Sequence, residues 1–145
     1  MKTLKSMAGA AVLAAGFLSA GAYAELPPTQ TQGGVEYVSG GFGLDESTAF
    51  KQAIRQWPLA LTFASSSNGV NAYASDVQVV IRDKQDATVL NALSEGPYFL
   101  ARLPAGSYSV FVTYEGQTQS RKITIGASGG THVTFHWKRP ASGPD

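Results

Sequence analysis

The chain of 145 residues contains no cysteine. That excludes disulfide bonds, a thiol nucleophile and a lipid anchor on an N-terminal cysteine, so stability has to come from packing. Charge is scarce: 14% of residues are charged, 11 basic against 10 acidic. Basic residues adjoin only in the pairs Arg121-Lys122 and Lys138-Arg139. Nucleic-acid binding therefore lacks its electrostatic footprint, and attraction to an anionic membrane loses support for the same reason. No apolar run reaches the roughly 20 residues that span a bilayer, so stable membrane insertion is not expected. Histidine occurs twice.

What the chain does have begins with its first 24 residues. Lys2 and Lys5 precede a short apolar run from Met7 to Ala20, and Ala22-Tyr23-Ala24 is an A-x-A cleavage site. This pattern predicts an export signal peptide over residues 1–24, with a soluble product in the periplasm or outside the cell. Removing Lys2 and Lys5 leaves nine basic against ten acidic side chains, a formal net charge of −1 rather than the precursor's +1. The roughly 120 residues that remain suffice for one domain with a genuine core.

Residues 25–34, "ELPPTQTQGG", combine paired prolines with small polar residues and predict a flexible leader. Residues 35–58 read as a glycine-rich segment and an amphipathic helix. Phe50, Ala53, Ile54 and Trp57 fall at i, i+3, i+4 and i+7, opposite Lys51, Gln52, Arg55 and Gln56. Asp45 or Ser47 is the expected cap, Glu46 suits the positive end of the dipole, and Pro58 stops the helix. From residue 59 to 137 the pattern changes to strands. "PLALTF", "DVQVVIR", "TVLNAL", "YFLARL", the hairpin "SYSVFVTYEGQTQSRKITI" and "GGTHVTFHW" make seven. No helix separates them, which argues for antiparallel pairing in an all-β sandwich carrying one short N-terminal helix. Residues 138–145 read as a disordered polar tail.

Glycines ahead of a helix can cradle a phosphate, and "VSGGFGLDESTAF" invites that reading. A P-loop and the dinucleotide fingerprint each need a spacing that is not found after Gly41-Phe42-Gly43. Asp45 and Glu46 also stand where the anion would sit and would repel it. No nucleotide or other cofactor is expected.

The strand and turn residues from 74 to 137, above all "VL…S…GPYFLARLPAGSYSV" and the following "EGQTQSRKITI" hairpin, resemble carboxypeptidase regulatory-like domains. The resemblance covers over half of the mature chain. It implies a seven-stranded antiparallel prealbumin-like (transthyretin-like) β-sandwich, of the broader immunoglobulin-like kind. Such domains generally serve as accessory modules for stability or binding. Residues 35–66 are also similar to the front of small exported proteobacterial proteins with this sandwich. Leu103-Pro104-Ala105-Gly106 is a turn-forming unit, informative about fold rather than chemistry. Prealbumin-like hydrolases of a purine-degradation intermediate use an N-terminal histidine and a C-terminal Tyr-Arg-Gly-Ser motif. Here the end reads "FHWKRPASGPD", which lacks that motif.

Catalytic constellations are weak. His132 and His136 would suit one metal on a helix, but the alternating Val133, Phe135 and Trp137 indicate a strand. On a strand the imidazoles stand about 13 Å apart, so no shared metal site is expected. Asp83 and Asp86 flank a turn, where such residues belong anyway. The expectation is a non-enzymatic module that binds an envelope protein, peptide or polysaccharide. Tyr98 and Phe99 at one turn, with Tyr37 and Phe42 ahead of the helix, are the expected contact residues. The alternatives are a small periplasmic hydrolase using His132 or His136, or an assembly role through an unpaired sheet edge.

Overall fold

A computed structural model describes residues 25–138; the segment read as a signal peptide lies outside the described residues, as does the tail beyond Lys138. Ten strands run in chain order: β1 (Gln30–Gln32), β2 (Val35–Gly40), β3 (Leu59–Ser67), β4 (Val70–Tyr73), β5 (Val77–Asp83), β6 (Thr88–Ser94), β7 (Tyr98–Ala101), β8 (Gly106–Tyr114), β9 (Gln117–Ile125) and β10 (Thr131–Lys138). Among the described residues one helix, α1 (Leu44–Ala53), continues as a 3-10 turn over Ile54–Gln56. The strands form two sheets. The large one has the order β1-β2-β7-β3-β10, with β4 also paired to β3; the small one has the order β6-β5-β8-β9.

The sandwich follows from period-two patterning. Val77, Val79 and Ile81 of β5 and Tyr108, Val110 and Val112 of β8 point inward from the small sheet. Leu59, Leu61 and Phe63 of β3, Phe99 of β7, and Val133, Phe135 and Trp137 of β10 meet them from the large sheet. Burying a side chain of this size contributes about 1.5–3 kcal/mol, which replaces the missing disulfides.

The seven expected strands become ten, because β1, β2 and β4 join the large sheet. Each is short and closes on a two-residue turn with positive φ, at Gly33-Gly34 and at Asn68-Gly69, the geometry of type I′ hairpins. β1 lies inside the segment expected to be a flexible leader, and Leu26 of the same segment packs on the helix side of the sheet. Pairing is also not wholly antiparallel. β10 runs parallel to β3, from Thr131 beside Leu59 to Lys138 beside Ser66. The whole small sheet lies between these two strands in sequence and serves as the crossover that a helix usually provides.

α1 starts at Leu44, earlier than its expected caps. Gly43 occupies the N-cap with no side-chain bond, leaving Asp45 and Ser47 within the first turn. Glu46 instead reaches back, and its carboxylate accepts a hydrogen bond from the Gly41 N–H at 2.7 Å. The helix covers the outer face of the large sheet, burying Phe50 and Trp57 with Val38, Ala60, Tyr98 and Leu100. Phe111 is on the small sheet, away from this helix, with Arg82 5.4 Å from its ring centroid.

The lateral edges of the sandwich are closed by side chains. On one side the Gln32 amide donates to the Asn91 carbonyl at 2.9 Å and accepts from the Asn91 N–H at 2.7 Å, standing in for a strand beside β6. On the other, Gln119 donates to the His136 carbonyl at 2.8 Å, Trp137 Nε1 to the Gln117 carbonyl at 3.0 Å, and Arg121 lies over Phe135. These are edge-blocking devices.

Candidate functional site

At the end of the large sheet where β7 begins, three aromatic rings run from the interior to the surface. Phe50 of α1 stacks on Tyr98 with centroids 5.6 Å apart, and Tyr98 meets Tyr73 of β4 at 5.7 Å. The Tyr98 hydroxyl donates to the Tyr73 hydroxyl at 3.3 Å. Burial, reinforced by this contact, pushes the Tyr98 hydroxyl's pKa well above the ordinary tyrosine value, so it stays a neutral donor. Gly41 rests against the same ring: a Cβ there would collide with Tyr98. The next residue, Phe42, is 62% exposed, Leu44 is 80% exposed and Tyr73 57%.

The four expected contact residues do not form one surface. Tyr98 and Phe99 alternate along β7, so Tyr98 lies under the helix and Phe99 faces the inter-sheet core. Tyr37 also points into that core, stacked on Phe99 at 5.6 Å, with its hydroxyl donating to Gln30 Oε1. All three are buried and unavailable as direct surface contacts; Phe42 alone of the four is exposed. The physical reason is that the large sheet is covered on both faces at β7, so neither alternating residue reaches solvent. The sequence reading omitted Leu44, Val70 and Tyr73 as contacts. Asn68-Gly69, a strong hairpin signal, marks the strand that carries two of them.

The sheet is incomplete at this place. β7 pairs with residues 59–62 of β3, and β4 takes the same row beside residues 64–67. β2 fills the next row out only as far as Gly40, opposite Tyr98, before the chain leaves into α1. Among the described residues, no strand takes the position beside β4 where β2 would have continued. All four residues of β4 are exposed, and no charged residue occurs between positions 56 and 75.

Polar candidates are less developed. A cleft of about 480 Å³ at one end of the small sheet is lined by Asp83, Lys84, Asp86, Tyr108 and Lys122, among others. An Asp83 carboxylate oxygen already accepts bonds from the Gln85 and Ala87 N–H groups, which makes it a turn organiser. Tyr108 donates to the Pro104 carbonyl at 2.7 Å, and burial, then the Asp83 charge, raises its pKa. His132 and His136 are both on the outer face of β10, and His132 Nε2 is 2.9 Å from Thr62 Oγ1. Neither β3, β7 nor β10 contributes a carboxylate to orient either ring. Gly126-Ala127-Ser128-Gly129-Gly130 spells G-x-S-x-G, yet it joins β9 to β10 rather than turning a strand into a helix. Among the described residues, no group of three or more His, Asp or Glu could hold a metal ion, and no helix is long and apolar enough to cross a membrane.

No family model matches the chain, and no curated protein matches it. A solved structure described as "Crystal Structure of S.CueP" is similar, at 15% identity over 89% of this chain and 97% of the other, with a TM-score of 0.42. At that level the likeness assigns neither a fold nor a function to this chain.

Proposed function

We propose that the chain is an exported, non-catalytic β-sandwich module that works by binding an envelope protein, peptide or polysaccharide. Its N-terminal pattern of basic residues, apolar run and A-x-A supports export to the periplasm. The turn and hairpin residues from 74 to 137 support an accessory module of the carboxypeptidase regulatory-like kind. The contact surface is the corner around Tyr98, formed by Phe42, Leu44 and Tyr73.

One observation carries this reading. Of the five large hydrophobic residues exposed among those described, Phe42, Leu44, Val70 and Tyr73 lie on the two segments that approach Tyr98; Leu93 lies elsewhere. Grouped exposed apolar side chains mark contact sites, whereas scattered ones need no explanation. With no charge between positions 56 and 75, recognition on the β4 side relies on apolar contact and hydrogen bonds, while Asp45 stands exposed beside Leu44 on the other side. The hydrolase alternative is less favoured, since β3, β7 and β10 place no carboxylate beside either histidine.

The test is calorimetric titration with two probes, a linear N-acetylglucosamine oligomer and a capped hexapeptide alternating threonine with valine and phenylalanine. The double substitution Phe42→Ser, Leu44→Ser, at the two most exposed residues of the corner, should weaken binding of whichever probe is taken up by about tenfold or more, while leaving the unfolding midpoint little changed. Equal affinity in the double variant, or no uptake of either probe, overturns the proposal.

A further inference from the structure

We infer that the free edge of β4 accepts an extended, uncharged polypeptide strand, which fills the missing row of the large sheet. The inference rests on the binding reading above and narrows the ligand to a polypeptide.

Hydrogen-bond parity identifies the atoms. The Ala74 N–H donates to the Phe63 carbonyl at 3.0 Å, so positions 63 and 74 are a bonding pair. Such pairs recur every second residue, which makes Ser65 with Ala72, and Ser67 with Val70, the next two. The two-residue Asn68-Gly69 turn requires the same assignment, because its flanking residues bond to each other. Val70 and Ala72 therefore direct their backbone groups toward β3. Asn71 and Tyr73 direct theirs away from it, into the empty row.

Those groups recur about 7 Å apart, the two-residue repeat of a strand. A polypeptide strand reproduces that spacing of alternating donors and acceptors; a sugar does not. Charge and edge chemistry agree. Long-lived free edges are ordinarily blocked by charge, proline or a covering side chain. The β6 edge has Gln32, and β9 and β10 have Gln119, Trp137 and Arg121 across their gap. β4 carries no charge and no proline, and among the described residues it pairs on one side only. Since its neighbourhood is uncharged over residues 56–75, the fitting strand is uncharged as well. An apolar side chain on the strand's outer face would meet the exposed rings of Tyr73 and Phe42.

The experiment is amide hydrogen exchange resolved by residue, using the capped hexapeptide, the same peptide N-methylated at alternate residues, and the N-acetylglucosamine oligomer. At saturation the unmodified peptide should slow exchange at Asn71 and Tyr73 by about tenfold, and Val70 and Ala72, already paired with β3, should change little. N-methylation should abolish the protection, because it removes strand donors and keeps the side chains. Asn71→Pro removes one outward N–H without touching the β3 ladder and should cost about tenfold in peptide affinity, with exchange at Val79 and Val110 reporting an intact sandwich. Strand addition is overturned if the peptide binds without protecting Asn71 and Tyr73, or if the N-methylated peptide binds equally well. In either case the aromatic corner remains as a contact surface. Uptake of the sugar oligomer alone also overturns strand addition and leaves the broader binding reading standing. If no probe is taken up, both fall.

Discussion

The two outer faces of this sandwich are built to opposite specifications. On the small sheet, Gln78, Asn91, Ser109, Thr113, Ser120 and Lys122 point outward, and the apolar residues of that face, Val80, Leu93 and Phe111, are left at least partly open to solvent, Phe111 beside Arg82. On the large sheet, Val38, Ala60, Tyr98 and Leu100 point outward and are buried, because α1 lies across them. An apolar outer face creates an obligation to be covered; here it belongs to β2, β7 and β3, since β10 turns His132, Thr134 and His136 outward, and a ten-residue helix about 15 Å long covers part of it. What the helix leaves open is the β4 end, where Tyr73 and Phe42 emerge. The exposed aromatic corner is thus the uncovered remainder of a second, smaller core.

The sharpest break in that comparison comes from matched substitutions on the two faces. Phe50 is fully buried and stacked on Tyr98, so Phe50→Ala should remove about 3–5 kcal/mol of stability, through lost transfer energy and an unfilled cavity. Phe111→Ala should cost about 1 kcal/mol, since solvent and the Arg82 stem already share its surroundings. Urea midpoints of the two variants decide the matter. Equal losses would mean that the helix side is no core at all.

Sequence patterning made some of this legible and hid the rest for identifiable reasons. β5, β8 and β10 alternate strictly, with one face buried and the other wet, and each was readable as a strand with its inward row. The helix face of Phe50 and Trp57 was readable too, as was the Glu115-Gly116 turn. β7 was not decipherable in this way: Tyr98, Phe99, Leu100 and Ala101 are all buried, so no alternation says which residue faces where. That is why Tyr98 and Phe99 looked like contact residues. β2 was obscured by the glycines that end it, and β4 by having no apolar alternation, although Asn68-Gly69 announced its hairpin. The vacancy beside β4 depends on strand order, which single-sequence periodicity does not encode.

The edges give a second comparison, of intermediate size. The Gln32 amide makes two hydrogen bonds to the Asn91 backbone, whereas among the described residues nothing equivalent stands beside β4. Gln32→Ala should cost about 0.5–1 kcal/mol in stability and speed amide exchange at Asn91, because its N–H exchanges a fixed acceptor for water. Exchange at Asn71 should be fast in both proteins. If Asn91 exchanges no faster in the variant, the two edges do not differ in the way the side-chain bonds imply.

The smallest effect concerns pH and tests how deeply the covered face is sealed. Burial, followed by the Tyr73 contact, raises the Tyr98 hydroxyl's pKa in the folded state, whereas the unfolded chain titrates near pH 10. Below that pH both states are protonated and the protein keeps its full stability. As pH rises past about 10, the unfolded state sheds this proton first, so the unfolded state binds fewer protons and unfolding stability falls. Tyr108 adds a decline of the same sign, caused by burial and then by the Asp83 charge. Stability measured by urea titration across the alkaline range should therefore drop above about pH 10 in the wild type and less steeply in Tyr98→Phe, with the slope that remains including Tyr108. A variant with the same alkaline slope as the wild type would show that the Tyr98 hydroxyl is as well hydrated as that of exposed Tyr73, and that the helix does not seal this end of the sheet.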